Sequence, residues 1–533
     1  MDLLVKERLE NFYDKEVWKH LSLGDFLTDI SRKYGKKIAL VDEGREYSYE
    51  DIENISKKYA KGFLDEGLKK GDKVVLQLPN SAELIFVIFA LFKIGVIPIM
   101  SLPAHRKTEI SGIIELSEAK AYIARDRYLG FSYVEMIRKI IDEKHLDINV
   151  FIQGEKEEFK NLTKLSENEA IRDKENIDYK GLGLLLLSGG TTGIPKLIPR
   201  RHCDYLYVAE YSGLRCGLNE ESIYLAALPM AHNFPLGCPG IMGTLFYGGK
   251  VVICPTTSPD EIIPLIEEEG VTVTGLVPAM ANMCIEFLEM DDYDISTLEL
   301  IQVGGSVLDQ LTAEKIEKGF SCKLQQIFGI AEGLILTTSS DDASETVYKT
   351  QGKPISEYDE VLIVNEEGEE VPVEEYGELI VRGPYTIYGY YNLDEVNKTC
   401  ITEDCYYKTG DKARKLKDGN YQVIGRLKEM INRAGEKITP TELEEILLTH
   451  NDIEEVQVVG IPDEILGEKI GVFIISGDKQ ISLIEIRTFL KEHGVAHFKL
   501  PDLVRKVDNW PLTSVGKISK AALRKSALLG GNE

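Results

Sequence analysis

The spacing of hydrophobic positions in the first hundred residues predicts helices and strands in alternation. Residues 38–41 and 74–78 are short apolar runs typical of buried strands, and residues 51–67 carry apolar side chains at helical spacing up to a terminating glycine. Residues 84–93 are almost wholly apolar but too few to span a bilayer, so they predict a buried helix. This alternation favours an α/β fold built on a parallel sheet.

The pattern changes twice further along the chain. Residues 224–325 predict a second α/β unit, whereas residues 359–411 contain short alternating strands typical of a smaller β-rich subdomain. Thr439 is expected to cap a helix over 439–450, with Pro440 in its first position and Glu442 completing a capping box. We therefore predict a large N-terminal domain over 1–426 and a small α+β domain over 427–533.

One loop joins an apolar run to a lysine and is the strongest chemical signal in the chain. Leu184 to Leu187 predict a buried strand, and the next residues are rich in glycine and hydroxyl groups. Glycine backbone N–H groups approach anions closely, so the loop is a candidate polyphosphate cradle, the alternative being a flexible turn. Pro195 before Lys196 excludes the common P-loop pattern. The candidate phosphate-binding residues are Ser188, Gly189, Gly190, Thr191, Thr192, Gly193 and Lys196.

Composition and charge narrow the class of protein. The 533 residues carry a formal net charge of −26, which argues against nonspecific binding to nucleic acid or to an anionic membrane. The eight cysteines are scattered without a C-x-x-C pair, which argues against a zinc site or a disulfide framework. The charged N-terminus lacks the apolar core of a signal peptide. We expect a cytoplasmic protein.

The motifs, taken in order, resemble those of the adenylate-forming superfamily, which includes acyl-CoA synthetases, peptide-synthetase adenylation domains and luciferases. They cover nearly the whole chain, so chance co-occurrence is negligible. The resemblance implies the predicted two-domain α/β fold, with a mobile C-terminal domain. The motifs are Ser188 to Lys196, His232-Asn233, Gly304-Gly305-Ser306, Phe328 to Glu332, Tyr407 to Asp411, Gly425 to Lys428, Asn432 to Ile438 and Pro511 to Lys517.

The resemblance implies that a carboxylate attacks the α-phosphorus of ATP to give an acyl-adenylate and pyrophosphate, with Mg²⁺ present. Such chemistry depends on positioning and charge neutralisation. The 188–196 loop would hold the β- and γ-phosphates, and Glu332 would bind Mg²⁺ as a catalytic ligand. Asp411 would accept hydrogen bonds from the ribose. The alternatives are a charge at a helix N-terminus for Glu332 and a turn aspartate for Asp411.

The remaining ATP-site residues follow from the same resemblance. The two glycines of 304–305, with the strand end at Ile327 and Gly329, would wall the adenine, and Gly304 would also border the acid. Arg426 would touch the ribose or phosphate, the alternative being a surface ion pair.

Two lysines are assigned to catalysis and domain movement. Lys517 would be the catalytic lysine, orienting the carboxylate and stabilising the charge that develops in the transition state. Lys428 would be the hinge about which the small domain rotates. Ala434 stands where the superfamily usually has glycine.

Residues 232–240 resemble the stand-alone aryl-acid adenylating enzymes of siderophore pathways, which activate 2,3-dihydroxybenzoate or salicylate. Residues 324–326 and 350–355 fit the same group. The resemblance implies that Asn233 contacts the 2-hydroxyl and that Phe234 is a flat wall. His232 either shields the reacting carboxylate or is a satisfied core histidine.

Cys238 favours salicylate over 2,3-dihydroxybenzoate. Dihydroxybenzoate-type members usually have serine here, whereas salicylate-type members usually have cysteine, with phenylalanine at the Phe234 position. A thiol is a weak hydrogen-bond partner, so a buried 3-hydroxyl would lose about 1–3 kcal/mol. Ile335 would shape the same end of the pocket. The alternative is that Cys238 is merely a small core residue.

The thiol acceptor is expected to be the phosphopantetheine arm of a separate aryl carrier protein, since Lys517 lies close to the last residue, Glu533. Free coenzyme A is the other acceptor, which would make the protein an aryl- or acyl-CoA ligase. A third hypothesis is a nucleotide-binding regulatory protein without catalysis. The intact Glu332, Asp411 and Lys517 argue against it.

Overall fold

The computed structural model describes residues 2–154, 158–171, 176–188, 195–433, 436–463, 465–513 and 516–529. Within them the chain is a mixed α/β protein with two large, mainly parallel sheets, a smaller antiparallel sheet and a separate C-terminal sheet, so the predicted fold class is confirmed. The helices are Asp2–Asp14, Leu23–Tyr34, Tyr49–Asp65, Ala82–Lys93, Lys107–Ser117, Tyr133–Lys144, His202–Arg215, Asn233–Gly237, Gly240–Phe246, Pro259–Glu269, Pro278–Leu288, Gln310–Phe320, Ser344–Lys349, Asp394–Cys400, Pro440–Leu447, Leu483–Glu492 and Lys520–Leu529, with 3₁₀ turns at Thr163–Glu167, Leu427–Glu429 and His497–Lys499.

The first large sheet carries the candidate phosphate loop at its edge. All of its neighbouring strands are parallel except the last two, which run antiparallel on either side of the loop. In spatial order the strands are Lys160–Asn161, Asn149–Gln153, Ala121–Arg125, Lys73–Gln77, Ile97–Met100, Leu182–Leu187 and Leu197–Arg201. A small hairpin, Arg127–Tyr128 with Phe131–Ser132, lies outside it.

The second large sheet carries most of the candidate acid and adenine residues. Its centre is parallel, and both edges are antiparallel. In spatial order the strands are Lys353–Pro354, Leu334–Thr337, Lys323–Ile330, Leu300–Gly304, Val273–Leu276, Ile223–Ala226, Lys250–Ile253, Ile38–Asp42 and Arg45–Ser48. Because parallel strands present their carboxyl ends at one edge, this sheet gathers several loops at one place.

Local sequence explains two of the helices packed on these sheets. The helix Tyr49–Asp65 begins two residues before the predicted start, because Ser48 accepts from the backbone N–H of Asp51 and Asp51 accepts from that of Ser48. The helix Ala82–Lys93 is buried on every side, as its apolar composition predicts. No helix among the described residues has the length and apolar character needed to cross a bilayer.

The C-terminal residues have a hydrophobic core of their own. The strands Glu436–Ile438, Ile431–Arg433, Gly467–Ile475 and Glu455–Asp463 form a sheet, and Leu503–Lys506 pairs with Gly467–Ile475. The β-rich part before it is an antiparallel sheet of Glu360–Val364, Gly377–Arg382, Tyr407–Lys415 and Tyr421–Arg426. The domain boundary at 426/427 stays a prediction, although it falls between these two sheets.

The predicted capping box at Thr439 is wrong. The helix does start at Pro440, but the Thr439 side chain makes no cap hydrogen bond and the helix ends at Leu447, three residues early. The Glu442 carboxylate instead accepts from Lys499 Nζ at 2.5 Å. The carboxylate expected to complete the box is thus bound to a lysine distant in sequence.

Candidate active site

The ends of the candidate phosphate loop are closed against each other. Ser188 N donates to the Lys196 carbonyl at 3.0 Å, and Ser188 Oγ accepts from Lys196 N at 3.0 Å. These bonds extend the antiparallel pairing of Leu182–Leu187 with Leu197–Arg201 by one residue on each strand. The candidate residues in its middle, Gly189, Gly190, Thr191, Thr192 and Gly193, lie outside the described residues, as does Ala434.

Glu332 lies in the tight turn between the strands Lys323–Ile330 and Leu334–Thr337. The alternative of a helix N-terminal charge is therefore wrong. Glu332 Oε1 accepts from Tyr390 Oη at 2.7 Å, and Lys196 Nζ lies 4.5 Å from the centre of the Tyr390 ring. Tyr390 thus links the carboxylate to the lysine of the loop, and burial raises its pKa, so it remains a neutral donor.

Asp411 and Arg426 form a second polar site on the antiparallel sheet. Arg426 Nε lies 2.9 Å from Asp411 Oδ1, and the Asp411 side chain is buried while that of Arg426 is 42% exposed. The pair thus has one buried member, and Asp411 lies within a strand, not in a free turn. Asp411 Oδ2 is buried without a hydrogen-bond partner among the described residues. It is an acceptor available to a ligand hydroxyl.

Burial raises the pKa of Asp411 to about 6, although the Arg426 charge and a hydrogen bond from Thr409 oppose the shift. The carboxylate therefore predominates at neutral pH and is lost as the pH falls through about 6.

Neighbouring groups pack directly against the backbone of Gly304 and Gly305, and Gly305 borders the cavity beside Lys517. Gly304 pairs with Ile327 across the parallel strands, and a Cβ on Gly304 would lie 2.4 Å from the Ile327 carbonyl oxygen. Gly305 has φ +88°, and a Cβ there would lie 3.0 Å from Lys517 Cε. Only glycine fits both positions without displacing its neighbours. Gly329 pairs with Ile335 in the next hairpin.

Lys517 enters this space from the C-terminal domain. A narrow cavity there is lined by Leu228, Pro229, His232, Phe234, Val277, Gly305 and Lys517. Burial lowers the pKa of the Lys517 ammonium, with repulsion from Arg426 acting in the same direction and attraction to Asp411 opposing it. The loop is held by Thr513, whose Oγ1 accepts from Lys517 N at 3.1 Å. The structure thus brings Lys517 to His232 and Gly305, which lie far away in sequence.

His232 is a neutral histidine in this cavity. Its Nδ1 accepts from the backbone N–H of Phe234 at 3.3 Å, so its ring proton is on Nε2. Burial, together with the nearby Lys517 charge, lowers the pKa of His232 to about 3. It can therefore donate a hydrogen bond into the cavity without adding a charge.

Asn233 and Cys238 contact each other beside a buried apolar cluster that includes Cys238. Asn233 Nδ2 donates to Cys238 Sγ at 3.2 Å, and Asn233 Oδ1 accepts from Tyr205 Oη at 3.1 Å. Burial raises the pKa of the Cys238 thiol to about 12, so it stays protonated. Ile327 and Ile335 belong to the same apolar cluster, and Phe234 packs against it.

The Phe234 ring packs against Gly275, which has no side chain, in the strand Val273–Leu276. A Cβ on Gly275 would lie 3.2 Å from Phe234 Cζ.

Lys428 is exposed in the 3₁₀ turn Leu427–Glu429, directly after Arg426. Its hinge role stays a prediction.

Sequence reasoning missed the tyrosines that hold these side chains. The Tyr205 hydroxyl donates to Asn233, and the Tyr390 hydroxyl donates to Glu332. The hydroxyls of Tyr390 and Tyr407 lie 2.8 Å apart in a hydrogen bond in which either can be the donor. The helix His202–Arg215 could have indicated Tyr205, because it follows the strand Leu197–Arg201 that leads out of the phosphate loop. Nothing local in the sequence indicates the partner of Tyr390.

Comparison with known proteins identifies the family. The AMP-binding enzyme family model matches residues 27–391, and the model of the AMP-binding enzyme C-terminal domain matches residues 442–517. The chain is 42% identical over 520 residues to the 2,3-dihydroxybenzoate-AMP ligase of Bacillus subtilis, covering 98% of this chain and 96% of the relative. It is 38% identical over 523 residues to the salicyl-AMP ligase / salicyl-S-ArCP synthetase of Mycobacterium tuberculosis, covering 97% and 93%.

A solved structure supports the same assignment over both domains. The apo structure of MbtA from Mycobacterium smegmatis is 37% identical, has a TM-score of 0.75 and covers 98% of this chain and 97% of its own. The chain therefore belongs to the AMP-binding enzyme family, as an adenylate-forming ligase of the group that contains the aryl-acid AMP ligases.

Proposed function

We propose that the protein uses ATP to activate salicylate as salicyl-adenylate, releasing pyrophosphate. A salicylate carboxylate oxygen attacks the α-phosphorus, and the bond to the pyrophosphate oxygen breaks. The observation that carries the proposal is the enclosed ammonium group of Lys517 beside His232 and Gly305, on one side of an apolar pocket. A cation fixed there offsets the charge that develops between the carboxylate and the α-phosphate.

The residues around this cation fit a nucleotide. The buried, unpartnered Oδ2 of Asp411 matches a ribose hydroxyl donor, while Arg426 holds the other carboxylate oxygen in place. Gly304 and Gly305 present backbone without side chains beside Ile327, and a flat base would lie against this surface in the proposal. The loop closed by Ser188 and Lys196 faces the phosphates in this proposal.

The half-buried Glu332 carboxylate suits Mg²⁺, a hard cation that prefers oxygen ligands and binds through one or two carboxylates and phosphates. When bound, Mg²⁺ neutralises phosphate oxygens. The part of this chain is to hold the Glu332 carboxylate in place through the Tyr390 hydroxyl.

The acid pocket favours salicylate over 2,3-dihydroxybenzoate. Asn233 has an N–H beyond the one that Cys238 accepts, and this N–H is available to the 2-hydroxyl. Cys238 Sγ is protonated, already accepts from Asn233 and is a poor partner for a 3-hydroxyl. A 3-hydroxyl placed there would be buried with a weak partner at a cost of about 1–3 kcal/mol.

The second step of the proposal transfers the salicyl group to the phosphopantetheine thiol of an aryl carrier protein. The thiol sulfur attacks the acyl carbon, AMP leaves and a thioester forms. Likeness over the full length to a salicyl-S-ArCP synthetase supports this acceptor. The reaction is the loading step of siderophore-type biosynthesis.

The test is acid-dependent ATP–pyrophosphate exchange with salicylate, 2,3-dihydroxybenzoate and benzoate in parallel. We expect kcat/KM to be highest for salicylate and lowest for benzoate, which lacks the 2-hydroxyl. Equal values for salicylate and benzoate would contradict the pocket assignment, and no exchange with any of the three acids would contradict the activity.

A further inference from the structure

A buried tyrosine lies behind the acid pocket and is outside the catalytic groups described above. Tyr385 is 1% exposed, and its hydroxyl donates to Asp359 Oδ2 at 2.6 Å. The same hydroxyl accepts from the backbone N–H of Ile335 at 3.3 Å. Tyr385 therefore connects a buried carboxyl group to the backbone of Ile335, the residue expected to shape the acid pocket.

The chain around Tyr385 also holds the turn that carries Glu332. Ile387 N donates to the Glu332 carbonyl at 2.8 Å, and Thr386 Oγ1 donates to the Gly333 carbonyl at 2.9 Å. A Cβ on Gly333 would lie 2.1 Å from the Tyr385 carbonyl oxygen, so the two segments are in the closest contact that glycine allows. Residues 332–335 and 385–387 thus form one packed unit.

Ile335 connects this packed unit to the proposed acid pocket. Its side chain is buried in the apolar cluster that contains Cys238, Ile327 and Tyr385. Its carbonyl oxygen accepts from Ile355 N at 3.1 Å, and its N–H is bonded by the Tyr385 hydroxyl. Loss of that hydroxyl would leave the Ile335 N–H buried without a partner.

Among the described residues, the Asp359 side chain has one hydrogen-bond partner, the Tyr385 hydroxyl. Its Oδ1 is buried without a hydrogen-bond partner among the described residues. Burial raises the pKa of Asp359 well above its usual range. A buried carboxyl group is costly to a fold, but as an acceptor it directs the Tyr385 proton away from Ile335 and turns a lone pair toward the Ile335 N–H.

We propose that Tyr385, oriented by Asp359, is a positioning residue that fixes Ile335 and thereby the wall of the aryl-acid pocket at the Cys238 end. The inference rests on the proposed function, because it assumes that an aryl acid occupies this pocket. Tyr385 and Asp359 are therefore expected to affect the binding of the aryl acid and to leave the binding of ATP unchanged.

The experiment measures KM for salicylate and for ATP in pyrophosphate exchange with the full chain and with Tyr385→Phe. We expect the KM for salicylate to rise about tenfold, the effect of one lost buried hydrogen bond, and the KM for ATP to stay within about twofold. The matched control is Tyr207→Phe. The Tyr207 hydroxyl binds Ser356 Oγ at 2.7 Å, and its ring lies 6.0 Å from that of Tyr385 in the same cluster.

Tyr207→Phe also removes a buried hydroxyl and should lower the thermal midpoint without changing either KM. The second pair of variants, Asp359→Asn and Asp359→Ala, guards against misfolding of Tyr385→Phe. Asparagine keeps an acceptor and should retain the parent KM for salicylate, whereas alanine should raise it.

Three results would overturn the inference: an unchanged KM for salicylate in Tyr385→Phe, an equal rise for ATP, or identical effects of Asp359→Asn and Asp359→Ala. These results count against the positioning role alone if the parent exchanges with salicylate. A parent without acid-dependent exchange would overturn the proposed function and the inference together.

Discussion

The selectivity of the acid pocket depends on one sulfur atom. Cys238 Sγ accepts from Asn233 in a buried environment. Cys238→Ser replaces a weak partner by a hydroxyl that both donates and accepts. We therefore expect the ratio of kcat/KM for 2,3-dihydroxybenzoate to that for salicylate to rise about tenfold, as one regained hydrogen bond predicts. Cys203→Ser, at a buried cysteine of the same cluster, is the control and should leave the ratio unchanged. An unchanged ratio in Cys238→Ser would remove the specificity argument.

Asp411 predicts a pH dependence of ATP use. Its pKa is raised to about 6 by burial, so lowering the pH through 6 converts the carboxylate to a neutral acid with fewer acceptor sites for the ribose. The KM for ATP should rise as the pH falls from 7 to 5. In Asp411→Asn, the KM for ATP should be higher than in the parent at every pH and should no longer rise as the pH falls through 6. A parallel pH profile in parent and variant would contradict the assignment.

These residues show where sequence reasoning succeeds and where it stops. The order of the motifs predicted that Asp411, Glu332 and Lys517 belong to one site, but only the fold brings Lys517 beside His232. The hydrogen bonds from Tyr205 and Tyr390 depend on contacts across 28 and 58 positions of sequence, which no local pattern encodes. The middle of the phosphate loop stays a prediction.

At the scale of single elements, local rules hold where no distant partner competes. Ser48 and Asp51 form a full capping box at the start of Tyr49–Asp65. Thr439 and Glu442 have the same spacing and do not: the Thr439 side chain makes no cap hydrogen bond, and the Glu442 carboxylate binds Lys499. Apolar periodicity located the strands 38–41 and 74–78 to within a residue at each end, since buried strands follow the hydrophobic pattern directly.

The Ser48 cap gives an element-scale prediction. Ser48→Ala removes the acceptor for the Asp51 N–H and should destabilise the N-terminal domain by about 1 kcal/mol. The measurement is the shift of the urea unfolding midpoint, with Ser48→Asp as a control that keeps an N-cap acceptor. Equal midpoints for Ser48→Ala and the parent would show that the helix start does not depend on its cap.

At the scale of the whole molecule, the structure has the C-terminal domain closed with Lys517 in the cavity. The second step of the proposal requires that lysine to leave, and Lys428 is the predicted pivot. Lys428 lies in the 3₁₀ turn Leu427–Glu429, where φ is about −50 to −70°, close to the value of about −65° that proline imposes, so proline keeps the closed state and blocks rotation about this bond. Lys428→Pro should therefore keep pyrophosphate exchange near the parent rate and lose most thioester formation.

The control for this prediction is Lys428→Ala, which removes the side chain but leaves the backbone free to rotate. It should retain both reactions. Equal thioester formation in Lys428→Pro and Lys428→Ala would contradict the hinge.

The most direct test of the account concerns the ammonium group of Lys517. Lys517→Ala should lower salicylate-dependent ATP–pyrophosphate exchange at least about a hundredfold, because a preorganised charge at the reacting atoms contributes about that much. Lys525→Ala, at an exposed lysine in the helix that follows, should leave exchange at the parent rate. Exchange by Lys517→Ala at the parent rate would contradict the central claim that the two domains bring one cation to the forming acyl phosphate.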